Sequence, residues 1–180
     1  MNQDEEEDFR EFVRARFDAL RGLAYLTCGN WQTAEDAVST SLAKLYVRWR
    51  KVSSPHSYAQ RMVVRAAIDE GRRPWRREHS AGENLPDQVV VDPSARVDER
   101  MRLREALRQV PPRQRAVLVL RYYEGLSVEE TAAALGLRAG TVKSQASRGL
   151  AALRQALGVN EIRTVGTRKS REESYGLRPA

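Results

Sequence analysis

Apolar residues along the chain recur at spacings of three and four, the period of an amphipathic helix. Phe9, Phe12, Val13, Phe17, Leu20, Leu23 and Leu26 make one such stripe, and Trp31, Ala34, Val38, Leu42, Leu45 and Trp49 make a second. Gly29-Asn30 separates the two and marks the second helix start, with Glu35-Asp36 in an early turn where the helix dipole favours acid. Lys51 to Ser57 reads as a loop in which Pro55 suits a helix start. A third helix is predicted from about Ser57 to Gly71, with Met62, Val63 and Ala66 as candidate core positions. Val89-Val90-Val91 is the one strand-like run, too short to make a sheet.

The pattern then lapses. Between Glu78 and Arg100, six acidic residues (Glu78, Glu83, Asp87, Asp92, Asp98, Glu99) face two arginines, with two prolines and a glycine among them. Such a composition describes a linker. Helical spacing returns with Leu103, Leu107 and Val110, which end a helix at Pro111-Pro112. Arg113 to Tyr123 carries Val117, Leu118 and Leu120 and closes at Glu124-Gly125. Beyond Leu157 the chain is polar, a composition that suits disorder or weak helix. The expected architecture is all-α: two small helical domains over 5–77 and 98–157, a flexible acidic linker over 78–97 and a tail over 158–180.

Charge narrows the function. The chain of 180 residues carries a net charge of +7, and lysine stands only at Lys44, Lys51, Lys143 and Lys169, so arginine supplies most of the positive charge. Arginine's planar fork suits phosphates and guanine edges, although abundance alone decides little. A single cysteine, Cys28, excludes an internal disulfide and is expected to be a small buried residue. His56 and His79 are isolated and lack metal-ligand spacing, so no metal or other cofactor is expected. Asp4 to Asp8 is acidic where a secretory signal would be basic, and no window reaches the ~20 apolar residues of a membrane span. A cytoplasmic protein without membrane insertion is expected. No nucleophile–base pair or phosphate loop points to an enzyme.

The segment from Leu126 to Leu157 is the most informative. Ser127 with Glu130 makes a capping box. Ala132 sits where two helices approach closely, and Gly136 can end the first helix in the left-handed conformation. Leu135, Leu137 and Val142 would fill the wedge of a helix-turn-helix. The second helix would bury Val142, Ala146 and Leu150 and expose Thr141, Lys143, Ser144, Gln145, Ser147 and Arg148. A polar helix face of this kind fits the DNA major groove. A second basic element contains Arg61, Arg65, Arg72, Arg73, Arg76 and Arg77 with Trp75 among them, offset only by Asp69 and Glu70. It suits phosphate contact and base stacking, and it equally suits a solvated helix end.

Two stretches carry a resemblance. Tyr58-Ala-Gln-Arg-Met-Val-Val-Arg-Ala-Ala-Ile-Asp69 followed by Arg72-Arg73, and Leu107 through Ala132 with Thr141-Val-Lys-Ser-Gln and Ser147-Arg-Gly-Leu, are similar to the two domains of extracytoplasmic-function sigma factors of the actinobacterial SigE type. The resemblance spans about residues 8–157. It implies a region 2 bundle of three or four helices and a region 4 helix-turn-helix bundle. It also implies a subunit that binds core RNA polymerase, at the beta-prime clamp and the beta flap, and directs it to promoter DNA. The −35 element would be read by Thr141, Lys143, Ser144, Gln145, Ser147 and Arg148. The −10 element would be opened by the loop residues Val52, Ser53, Ser54, His56 and Ser57, flanked by Arg61, Arg65, Arg72, Arg73 and Trp75. Glu35, Asp36, Val38, Ser39 and Leu42 would hold the clamp, and an anti-sigma factor is a further partner the likeness allows. The acidic linker resembles the family segment that threads towards the RNA channel. Two departures stand out: Ser39 where glutamine is usual in the clamp helix, and Arg65 where asparagine is usual in the −10 helix.

Flipping one base out of a duplex costs a few kcal/mol, so the isolated protein is expected to bind promoters weakly. An ordinary repressor would explain residues 126–157 but leave the N-terminal basic domain without a role. An adaptor or anti-sigma protein would have no need of Lys143 and Arg148.

Overall fold

The computed structural model describes residues 2–70 and 95–159, and among them it contains seven α-helices and no strand. Several helix ends have a local cause. Helix α1 (Gln3–Cys28) starts at Asn2, whose side chain accepts from the Glu5 N–H at 2.8 Å while the Glu5 carboxylate accepts from the Asn2 N–H at 2.9 Å. It stops at Gly29, whose φ of +79° only glycine adopts without strain. Asn30 then caps α2 (Trp31–Arg48) by accepting from the Thr33 N–H at 2.8 Å. Glu35 and Asp36 lie beyond the first turn of α2. A 3-10 turn (Trp49–Lys51) leads to α3 (Pro55–Glu70), which begins on its proline.

The second half starts with α4 (Ala95–Gln109), so the last residues of the expected linker are helical, while 78–94 lies outside the described residues. The Val89–Val91 run and residues 160–180 of the polar tail also lie outside them. Helix α5 (Pro112–Leu118) widens into a π turn (Val119–Tyr123) that leaves Tyr122 and Tyr123 exposed. Helices α6 (Val128–Leu135) and α7 (Ala139–Ala156) follow.

Helices α1, α2 and α3 enclose one core of Leu20, Ala24, Ala34, Ala37, Val38, Leu42, Leu45, Ala59, Val63 and Ala67. Phe9, Phe12 and Trp49 close its end in edge-on and tilted ring contacts at 5.2 and 5.3 Å. A separate core of Val117, Ala132, Val142 and Ala146 holds the helix-turn-helix, with Leu135 and Leu137 wedged beside it as the sequence suggests. A third cluster joins the halves: Leu23 and Val64 from the first pack on Ala116, Val119, Leu120 and Ala134 from the second. The two units therefore touch, a contact that no local pattern announces.

Arg115 ties this junction together. It is only 5% exposed, and its guanidinium donates to the carbonyls of Leu107 and Arg108 at 3.4 and 3.3 Å and to that of Cys28 at 3.3 Å. These acceptors close α4 and α1, where helix dipoles concentrate negative charge. Burial lowers its pKa, with Arg108 adding to the shift and Cys28 opposing it. Gly29 makes room, since a Cβ there would stand 3.2 Å from an Arg115 nitrogen. Cys28 itself is half-buried, its thiol donating to the Asn30 carbonyl at 3.2 Å.

Candidate nucleic-acid interface

The helix-turn-helix is built from the residues that announce it. Ser127 Oγ accepts from the Glu130 N–H at 3.0 Å, and the Glu130 carboxylate accepts from the Ser127 N–H at 2.7 Å. Those bonds hold the Glu130 carboxyl below the usual carboxylate range. Gly136 has a φ of +66°, and its N–H and that of Leu137 both turn back to the Ala132 carbonyl. The chain re-enters at α7, which buries Val142 and Ala146 and turns Lys143, Ser144, Ser147 and Arg148 to solvent. Thr141 and Gln145 are half-buried at the edge of that face. Leu150 is half-buried rather than buried, and the neighbouring Gly149 packs against α5. A Cβ at Gly149 would stand 3.1 Å from the Leu118 side chain, which explains a glycine inside a helix that would otherwise disfavour one.

Of the other basic element, Arg61 lines a cleft of about 510 Å³ at the end of α2, together with Val47, Arg48, Lys51, Val52, Ser53, Ser54 and Tyr58. Val52, Ser53, Ser54 and Arg61 are the expected residues found there. Arg48, Lys51 and Tyr58 were not anticipated, although Tyr58 and Arg61 share a face of α3 three residues apart. Three cations and one aromatic ring around an open cleft match what single-stranded nucleic acid needs: phosphate neutralisation and a stacking surface. Ser54 and Ser57 pair through their hydroxyls at 3.0 Å. The Arg50 guanidinium lies outside the cleft, 3.0 Å from Glu5.

Other expected −10 residues are placed differently. His56 is half-buried, and its Nδ1 is enclosed without a partner. Desolvation lowers its pKa, and Arg16 adds to the shift. Arg65 is turned away from the cleft and donates from Nε to the Ala134 carbonyl at 2.6 Å and from Nη2 to the Ala133 carbonyl at 3.1 Å. Arg72, Arg73 and Trp75 lie outside the described residues.

The expected clamp set on α2 needs correction. Val38 is 0% exposed and Leu42 8%, both within the core of the first unit, so neither side chain can meet a partner. The helical period that places Ala34 and Leu45 inside places these two inside with them. Glu35 and Asp36 are half-buried and Ser39 is exposed; Glu35 pairs with Arg21 at 3.3 Å. Exposed Thr40 and Ala43 continue the Ser39 face, and Val47 is 82% exposed. No described helix is long and apolar enough to cross a membrane, and no group of acidic, histidine or cysteine residues among the described residues could hold a metal ion.

A family model described as Sigma-70 region 2 matches residues 12–77, and one described as Sigma-70, region 4 matches residues 100–153. The RNA polymerase sigma-E factor of Streptomyces antibioticus is 38% identical over 165 residues, covering 90% of this chain and 91% of that protein. The sigma-E factor of Streptomyces coelicolor is 37% identical over 158 residues (86% and 89%). The ECF RNA polymerase sigma factor SigM of Mycobacterium tuberculosis is 31% identical over 153 residues (83% and 77%). Among solved structures, the sigma factor RpoE from Bartonella quintana, in complex with the anti-sigma factor NepR, superposes with a TM-score of 0.65 at 24% identity. It covers 86% of this chain and 99% of that one, a likeness of fold.

Proposed function

The chain belongs to the extracytoplasmic-function sigma factors, and from that premise we propose how its residues divide the work of initiation. As a sigma factor it binds core RNA polymerase and directs promoter-specific transcription. Lys143, Ser144, Ser147 and Arg148, with Thr141 and Gln145 at the edge, read the −35 element. One observation carries this: α7 presents these side chains to solvent on one face while Val142 and Ala146 anchor the opposite face.

The −10 strand enters the cleft between α2 and α3. Arg48, Lys51 and Arg61 neutralise its phosphates, and Tyr58 offers a ring for a displaced base. Val52, Ser53, Ser54 and Ser57 shape the loop, while His56 supports it from behind. The clamp contact falls to Glu35, Asp36 and Ser39 with Thr40 and Ala43, the outward side of α2. The domains run over 5–77 and 98–157, and an anti-sigma factor is a further partner, of the kind with which the Bartonella protein was solved. The chain works in the cytoplasm beside the polymerase and performs no covalent chemistry of its own.

Run-off transcription tests the reading. Core polymerase plus this chain should give discrete transcripts from promoters mapped after its overexpression, with no other sigma present. Only random initiation, or a tight sequence-specific DNA complex formed without polymerase, would overturn it.

A further inference from the structure

The names of the two elements place them roughly 25 base pairs apart, about 85 Å of duplex at 3.4 Å per pair. In this structure the units that would read them are in contact: Leu23 and Val64 pack on Val119, Leu120 and Ala134. Such an arrangement cannot serve both elements at once. The fold must therefore hold a closed state that is able to release.

Most of the junction is apolar and has no relation to DNA. Arg65 is the exception. It stands on α3 one turn beyond Arg61, which lines the cleft, and its guanidinium crosses to the last turn of α6. There the left-handed ending at Gly136 draws the N–H groups of Gly136 and Leu137 to the Ala132 carbonyl. The next two carbonyls, of Ala133 and Ala134, accept from Arg65 instead. A guanidinium fork is suited to two adjacent oxygens at the negative end of a helix dipole. Gln60 of α3 donates to the Glu124 carboxylate, another polar tie across the same boundary, as is the bond from Arg115 to the Cys28 carbonyl.

We propose that Arg65 is a latch: its guanidinium caps α6 in the closed state and is freed for DNA phosphate when the units part. The two uses exclude each other, so closure and −10 contact compete for one side chain. The competition rests on the −10 reading given above; the closure does not.

Thiol labelling of the full chain separates these parts. In a Cys28→Ala background, a cysteine placed at Ala134 is buried at the junction, and one placed at Ala146 lies in the second unit's own core. Arg65→Ala should raise the labelling rate at 134 by about tenfold, as loss of charged hydrogen bonds would. Arg65→Lys, with a single point donor, should fall between, and Arg61→Ala should leave the rate unchanged. The rate at 146 should stay as in the parent. An unchanged rate at 134 in both Arg65 variants overturns the latch. So does an equal rise at 134 and 146, which would mean that Arg65 only caps α6 within its own unit. Saturating mixed-sequence single-stranded DNA should raise the rate at 134 in the parent chain. No rise would refute the competition, while the −10 reading is judged by run-off transcription and closure by the variants alone.

Discussion

The two regions proposed to face DNA differ in how their residues are held. On α7 the polar face is anchored by side chains a turn away, and the exposed set is nearly the one that spacing implies. At the end of α2 the cleft draws on two helices and a loop, and only some of the expected side chains reach it. His56 is tucked behind the loop, Arg65 is engaged across the junction, and Arg48, Lys51 and Tyr58 enter in their place. A site carried by one helix is fixed by that helix's period. A site shared between elements is fixed by tertiary packing, which local sequence does not encode.

The contrast can be broken most sharply at the junction. Arg115→Ala removes a buried guanidinium's bonds to three carbonyls, one of which, that of Cys28, lies across the boundary. We expect a loss of about 3 kcal/mol of stability in denaturant unfolding. A change below ~0.5 kcal/mol would mean that Arg115 does not tie the junction.

Next comes α7. Lys143→Ala and Arg148→Ala should each cost about 1–3 kcal/mol of discrimination where the side chain reaches a base edge. That loss should appear as weaker run-off from a wild-type −35 element relative to a scrambled one. Stability should be unaffected, because both side chains are exposed. The α2–α3 cleft is sharpened by Tyr58→Ala, expected to remove one stacking surface worth about 1–3 kcal/mol. Promoter opening, followed by permanganate reactivity of the −10 strand, should fall while −35 preference persists.

The smallest effect concerns the capping box. Ser127→Ala should destabilise the helix-turn-helix by ~1 kcal/mol in thermal unfolding at neutral pH. Glu130 has its pKa lowered in the folded state, so its contribution is present above the ordinary carboxylate pKa and lost as pH falls through the lowered value. The gap between parent and variant should therefore narrow towards strongly acidic pH.

Much of the fold was legible because its signals are short-range. Gly29-Asn30, Ser127 with Glu130, and Gly136 each fix a helix end through neighbours within five residues. Val38 and Leu42 teach a different lesson. Their own stripe with Ala34 and Leu45 already places them inside, and the resemblance assigned them to a surface because it identifies a helix rather than a face. The cross-junction bonds of Arg115 and Arg65 could not be read at all. Their acceptors Cys28, Ala133 and Ala134 lie 87, 68 and 69 residues away, beyond any periodic pattern.

The acceptors of Arg65 are main-chain oxygens, and this bears on how the contact can change over time. Any residue that keeps α6 helical presents the same main-chain oxygens, so exposed position 133 can vary without a compensating change at 65, whereas 134 must stay small enough for the junction that buries it. Paired substitution would leave no trace of such a contact. A single replacement at position 65 would suffice to create, weaken or abolish it, so that relatives sharing every helix could still differ in how tightly they are closed.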